Sequence, residues 1–331
     1  MNFKEDFEKV LNHITPDRTP SYFSSVHNAG FGRMPGPSFD RGPLGGGYDG
    51  FGVRWVSPSS GAGAQIPAPG EFILKDVTKW KDVSFPDLEL FDWESCVAME
   101  MKDVNRDELV VDFGSGNGVF ERLATLMGFE EALLAMAEEP EACNDFYTAL
   151  TDFKIKVAEK VHKYYNPLCF TYYDDIATER GLFMSPDTFR SLIKPHHKRL
   201  CQTVINLGMK PIYHCCGKAE VIVEDMIDCG YEAWTSVQPT NDISSILEKY
   251  SDKLAILGGY NTNGRPGMAD ASDEEVRAEV RRCFKEYGKY KGYVFFGVKL
   301  MDTLNVDEWV AAIMPMIDES VKCSIESGTK A

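Results

Sequence analysis

Tyr213-His214-Cys215-Cys216-Gly217 is the densest chemical stretch in the 331-residue chain. Imidazole nitrogen and thiolate sulfur are favoured donors to zinc, and one residue separates His214 from Cys216. In an extended strand both side chains leave the same face, and Cys215 leaves the other. Two donors do not complete a tetrahedral site, and no CxxC pair or second His/Cys cluster supplies the rest; packed side chains at a strand end would equally account for a bare His-x-Cys pair. Asp174 and Asp175 form a second polar pair, with carboxylates suited to metal ligation as well as to helix capping or a salt bridge with Arg180. His196 and His197 follow Pro195 on a helical pattern, where about 100° separates neighbouring side chains, so they read as surface residues rather than a chelating pair. His27 closes an early strand-like run and reads as a hydrogen-bonded core or loop residue. The other cysteines are scattered, and a total of nine is odd, which fits buried small hydrophobes rather than a disulfide framework.

Val110-Val111-Asp112-Phe113-Gly114-Ser115-Gly116-Asn117-Gly118 resembles the glycine loop of S-adenosylmethionine-dependent methyltransferases. That reading needs a second strand about 20 residues on, ending in an acidic residue for the ribose. Here the chain runs in helical periodicity over 121–136 and reaches another helix at Pro140. The stretch therefore reads as a loop between two elements.

The elements that must position these residues follow from patterning. Short runs rich in β-branched or aromatic residues at 108–113, 168–173, 210–214, 232–237, 254–257 and 293–296 predict strands, with another at 21–26. Helical patterns lie between them. Ser185-Pro186-Asp187 is a helix start with proline at the first helical position, and Ser272 with Glu275 has capping-box spacing. Residues 1–19 read as a short charged helix and its exit. Twelve of the 28 glycines fall within 28–70, interleaved with prolines, which predicts a long loop without regular elements; Phe31, Phe39, Tyr48, Phe51 and Trp55 argue that it is packed. The alternation implies parallel βα units, and without a composition break it predicts one (β/α)8 TIM barrel across 1–331, with 28–70 as a lid over its C-terminal mouth. Asp174, Asp175, His214, Cys216, Gln238, Tyr260, Asn261 and Lys299 all fall at or just after predicted strand ends, which converge on one mouth in a barrel.

Composition narrows the partners. With 51 acidic against 35 basic side chains the net charge is −16, which repels a phosphate backbone and excludes nucleic acid as a natural partner. No apolar run reaches membrane-spanning length, and the N-terminus is charged where a secretory signal is apolar, so the expected setting is cytoplasmic.

Several blocks together resemble the uroporphyrinogen decarboxylase superfamily over most of the chain. They are Pro16-Asp17-Arg18-Thr19-Pro20, Tyr48-Asp49-Gly50-Phe51-Gly52-Val53-Arg54-Trp55, Gly128-Phe129-Glu130, the run from Asp174 to Leu182 followed by Ser185-Pro186, His214-Cys215-Cys216-Gly217, and Ser236-Val237-Gln238-Pro239. The resemblance implies a (β/α)8 barrel. True decarboxylases of the group follow their Pro-Asp-Arg motif with an arginine-rich segment that holds the substrate's carboxylates; this chain has Ser21-Tyr22-Phe23-Ser24-Ser25-Val26-His27-Asn28-Ala29-Gly30 there. The cobamide-dependent methyltransferase branch shares the His-x-Cys pair and adds a distant third cysteine, at whose position this chain carries Val298. The resemblance thus implies zinc on His214 and Cys216, with Asp174 or Asp175 as the substitute third donor, or else loss of the metal together with that cysteine. It also implies a corrinoid carried by a partner protein as methyl acceptor. The aromatic, glycine-rich segment and a carboxylate-hardened metal favour a small methyl ether as donor over a charged thiol. Asp174, Asp175, Gln238, Tyr260, Asn261 and Lys299 would line the catalytic mouth. The alternatives are a metal-free carboxy-lyase working through a carboxylate and Lys299, and a non-catalytic barrel subunit of a corrinoid complex.

Overall fold

The structure is a computed structural model and describes residues 2–30, 39–43, 45–57, 65–301, 303 and 305–328. Phe31, with the rest of 31–38, and residues 44 and 58–64 of the glycine-rich segment lie outside the described residues.

Seven parallel strands form one sheet: β1 (Val26–Ala29), β2 (Val110–Ser115), β3 (Cys169–Tyr173), β4 (Lys210–His214), β5 (Ala233–Val237), β6 (Ala255–Gly259) and β7 (Tyr293–Phe296). They pair in sequence order, each with the next, as successive βα units do. Six of them start or end within two residues of the patterned runs, because buried parallel strands are apolar on both faces and the runs are short. The predicted strand at 21–26 is the exception. Tyr22–Ser25 is one helical turn, and β1 begins only at Val26.

That turn explains why the described sheet has seven strands rather than the expected eight. Phe295 N donates to Pro20 O at 2.9 Å, and Ser21 bridges Phe295 in parallel, so the chain just before the turn lies against β7. The sheet curls until its first and last strands are joined through a single turn of helix, a TIM-barrel-like closure. At the N-terminal end, α1 (Phe3–Leu11) places Phe7, Val10 and Leu11 against Val26, Val110, Cys169, Ile212, Ala233, Ala255 and Val294. This plug seals the end opposite the polar strand exits.

The outer layer includes α2 (Val119–Met127), α3 (Phe129–Glu138), α4 (Pro140–Tyr165), α5 (Lys194–Asn206), α6 (Val223–Cys229), α7 (Ile243–Tyr250), α8 (Asp273–Tyr287) and α9 (Val306–Gly328). The Ser272/Glu275 capping box forms as the spacing predicts, and Ser185 accepts from Thr188 N. Among the described residues no helix is long and apolar enough to cross a membrane.

The glycine-rich segment has more order than its composition predicts. Gly47–Tyr48, Arg54–Val56 and Ile66–Pro67 form a small antiparallel sheet, and Phe39, Phe51 and Trp55 are buried while Tyr48 is exposed. Its anchors are ionic and distant in sequence. Asp49 Oδ1 accepts from Phe51 N and Val53 N, both at 2.9 Å, and its Oδ2 accepts from Trp55 Nε1 at 3.0 Å and from Arg122 at 2.7 Å. Asp40 pairs with buried Lys154, which also donates to Gly116 O at 2.6 Å, and Asp40 Oδ2 accepts from Gly116 N at 3.1 Å. The nucleotide-like glycine loop is thus the seat of a buried ion pair.

Candidate active site

β3 and β4 are in register at Tyr173 and His214, so the residues leaving both strands emerge side by side. Asp174 N donates to His214 O at 3.2 Å, and Tyr213 Oη donates to Asp174 O at 2.8 Å, tying the two exits together. Beyond them the chain turns at Gly217, whose φ of +84° lies in the left-handed region; a Cβ there would come within 2.6 Å of Thr178 O, so only glycine fits this turn.

This packing brings one donor atom each from Asp175, His214 and Cys216 within 4.8 Å of one another. His214 Nε2 and Cys216 Sγ are 3.6 Å apart. Two tetrahedral ligands at zinc bond lengths of about 2.1 and 2.3 Å are separated by roughly 3.6 Å, so the pair fits that ion. Asp175 Oδ1 accepts from Cys216 N at 2.7 Å, which holds the carboxylate beside the sulfur. Tyr173 stacks on the His214 imidazole with centroids 4.2 Å apart. Burial lowers the His214 pKa, with Asp175 opposing, and leaves the neutral imidazole that a metal requires. Burial, and then the Asp175 charge, push the Cys216 thiol well up, so it ionises only beside a cation; a Ser236 hydrogen bond draws it partly back. Cys215 is fully buried and packs in the core, the opposite face from Cys216.

The other sequence candidates separate. Asp174 is fully buried but serves the helix start: its Oδ1 accepts from Glu121 N at 2.9 Å and its Oδ2 from Phe120 N at 3.4 Å, with His197 Nε2 2.9 Å from Oδ2. It lies so close to Gly118 that a Cβ there would sit 2.3 Å from its own. Asp174 therefore caps α2 and stands outside the donor group. Gln238 is buried near the site, its Nε2 donating to Ser236 O at 3.1 Å. Tyr260 Oη donates to Pro266 O at 2.7 Å, Asn261 is exposed, and Lys299 Nζ donates to Ala271 O at 3.0 Å; these three hold the loop after β6 and do not join the donor group. His196 and His197 are buried, contrary to the surface reading, because α5 is covered on two sides. His197 hydrogen-bonds Asp174 and, through Nδ1, Tyr231 Oη at 3.0 Å; His196 Nε2 lies 3.2 Å from Asn144 Oδ1 of α4.

Beside the donor group lies a cavity of about 450 Å³ that also includes Asp175 in its wall. Trp55, Phe72, Phe120, Phe129 and Phe183 make it aromatic, and Phe120, Phe129 and Phe183 contact one another at 4.8 to 6.0 Å between centroids. Its polar wall includes Arg41 and Glu121. Sequence reasoning missed both. Glu121 had one usable signal: it falls in the first turn of the helix that follows a strand end, where a barrel places its mouth.

The model of the uroporphyrinogen decarboxylase family matches residues 61–300, well over half of the chain. The chain belongs to that family. Two proteins to which the chain is similar are methyltransferases. A stretch of 100 residues is 28% identical to the methylcobamide:CoM methyltransferase MtaA of Methanosarcina barkeri, spanning 30% of this chain and 27% of that protein. The solved structure of a methyltransferase from Methanosarcina mazei superposes with a TM-score of 0.68 at 14% identity, over 97% of this chain and 99% of that one; this likeness is one of fold.

Proposed function

We propose that this protein is a corrinoid-dependent methyltransferase that moves a methyl group from a small donor, a methyl ether, to a corrinoid on a partner protein. The observation that carries the reading is the convergence of Asp175, His214 and Cys216, where a nitrogen, a sulfur and an oxygen donor meet at zinc-compatible spacing. Asp175 takes the part of the sulfur ligand that is absent at Val298. Bound by these three, zinc would supply Lewis acidity toward the donor's leaving oxygen. His214 offers a neutral nitrogen, Cys216 a sulfur that ionises next to the cation, and Asp175 a hard oxygen that raises electrophilicity. Tyr173 fixes the imidazole plane, and the aromatic cavity would place the donor against apolar rings. The relative named for methylcobamide chemistry supports the acceptor half. No observation favours the lyase alternative, because Lys299 is turned to a backbone carbonyl.

Purified protein is expected to hold one zinc per chain and to methylate free cob(I)alamin from a panel of methyl ethers, followed by loss of the cob(I)alamin absorbance. The double variant His214→Ala, Cys216→Ala should lose both properties and keep its circular dichroism. Metal-free wild type and an undiminished rate in the double variant would overturn the reading.

A further inference from the structure

The cavity beside the donor group has on its wall a carboxyl oxygen that its surroundings leave unanswered. Glu121 Oε2 is buried and has no hydrogen-bond partner, although the backbone of the same residue is fixed by Asp174. A buried oxygen without a partner costs about 1–3 kcal/mol, so such atoms persist where something else meets them. Glu121 lies on the wall of a space whose aromatic side is made by Trp55, Phe72, Phe120, Phe129 and Phe183, with Arg41 and Asp175 of the donor group also on the wall. It is not itself in that group: among the described residues only Asp175, His214 and Cys216 bring donor atoms within 4.8 Å of one another. The volume of about 450 Å³ accommodates a substituted benzene ring.

We propose that Glu121 is the specificity-determining residue of this cavity, accepting a hydrogen bond from a hydroxyl on an aromatic ring, so that the ligand class is a small phenol rather than a bare or fully alkylated arene. A carboxyl oxygen accepts such a bond in either protonation state. The rings of Trp55, Phe120, Phe129 and Phe183 supply stacking and edge contacts, and the hydroxyl on Glu121 sets which ring substituent turns toward Asp175. A site built around a polar partner discriminates more strongly than an apolar slot, because the analogue lacking the hydroxyl leaves the buried oxygen unpaired. The inference rests on the methyltransferase reading for its significance, since the ring would be the methyl donor.

The test is calorimetric titration of the zinc-loaded protein with 2-methoxyphenol and with 1,2-dimethoxybenzene, alongside zinc analysis. Wild type is expected to bind the phenol at least about tenfold more tightly, the ratio that one hydrogen bond to a buried carboxyl supports. Glu121→Gln keeps an acceptor oxygen and should keep a preference. Glu121→Leu should bind both rings with equal affinity while retaining its zinc and thermal midpoint. Three results would overturn the proposal: no binding of either ring by wild type, an undiminished preference in Glu121→Leu, or loss of zinc from Glu121→Leu, which would make Glu121 a metal ligand. Failure of the methyltransferase reading is distinguishable, because absent methyl transfer to cob(I)alamin leaves the ring preference standing.

Discussion

Asp174 and Asp175 are neighbours of identical type, yet they sit in different surroundings, and if the proposed function holds, replacing each by alanine should separate stability from metal binding. Asp174 accepts from Glu121 N, Phe120 N and His197, all at a fully buried site. Removing its carboxylate strips the start of α2 of its cap, a loss of about 1 kcal/mol, and leaves the buried His197 nitrogen without that partner, a further 1–3 kcal/mol. The small cavity adds to this, so a total of roughly 3–4 kcal/mol is expected. At about 2.1 cal/mol/K per residue, a chain of this length unfolds with an entropy near 0.7 kcal/mol/K, so the midpoint should fall by about 5 °C. Asp175 sits in a sparser network among the described residues, accepting from Cys216 N at 2.7 Å. Asp175→Ala should shift the midpoint by only about 1.5 °C in metal-free protein, because a single hydrogen bond is worth about 1 kcal/mol. Its effect falls on zinc. Four-ligand sites bind with about 10–16 kcal/mol, near 3 kcal/mol per ligand, so affinity should drop by a factor on the order of 100. Scanning calorimetry in chelator and competition with a chromophoric chelator read the two effects. If Asp174→Ala loses zinc at an unchanged midpoint, or Asp175→Ala unfolds early and binds zinc normally, the assignment of the two carboxylates is wrong.

Two further outcomes follow from burial. Desolvation, with help from neighbouring His197 and Arg199, lowers the His196 pKa from 6.5 to about 4. The unfolded chain then binds a proton that the folded chain refuses, so this residue's stability contribution is full above pH 6.5 and is lost as pH falls toward 4; His196→Gln should flatten the midpoint across that window by an amount on the order of 2 kcal/mol, measured by urea unfolding at closely spaced pH values. Lys154→Met removes the cation shared by Asp40 and Gly116 O and strands a buried carboxylate, which should cost about 3–5 kcal/mol and expose the 39–57 segment to proteolysis; equal cleavage rates in variant and wild type would show that the pair does not anchor that segment.

The sheet was readable from the chain because its strands are short apolar runs whose order in space is their order in sequence. The His-x-Cys pair was readable because strand alternation sends His214 and Cys216 one way and Cys215 the other. What was not readable depends on contacts between distant residues. No local pattern distinguishes Asp174 from Asp175; Gly118, far upstream, does so by leaving the space that Asp174 fills. The two histidines misled for a similar reason: a helix wedged between the sheet and α4 is covered on more than one side, so a separation of about 100° buries both. The anchoring of Asp40 and Asp49 in the described part of 28–70 comes from Lys154 and Arg122, and composition alone gave no notice of them.

The closure of the sheet through Pro20 and Ser21 bears on how the chain is made. The residues they pair with, around Phe295, are separated from them by most of the chain, so the first strand emerges with one edge that nothing can cover until the last βα unit arrives. Such non-local pairing slows folding, and an open strand edge invites pairing with other chains in the interval. The one-turn helix Tyr22–Ser25 interrupts that edge between the two halves that need different neighbours. It shortens the exposed template to four residues of β1, and a nascent chain waiting for its partner offers correspondingly little for aggregation to build on.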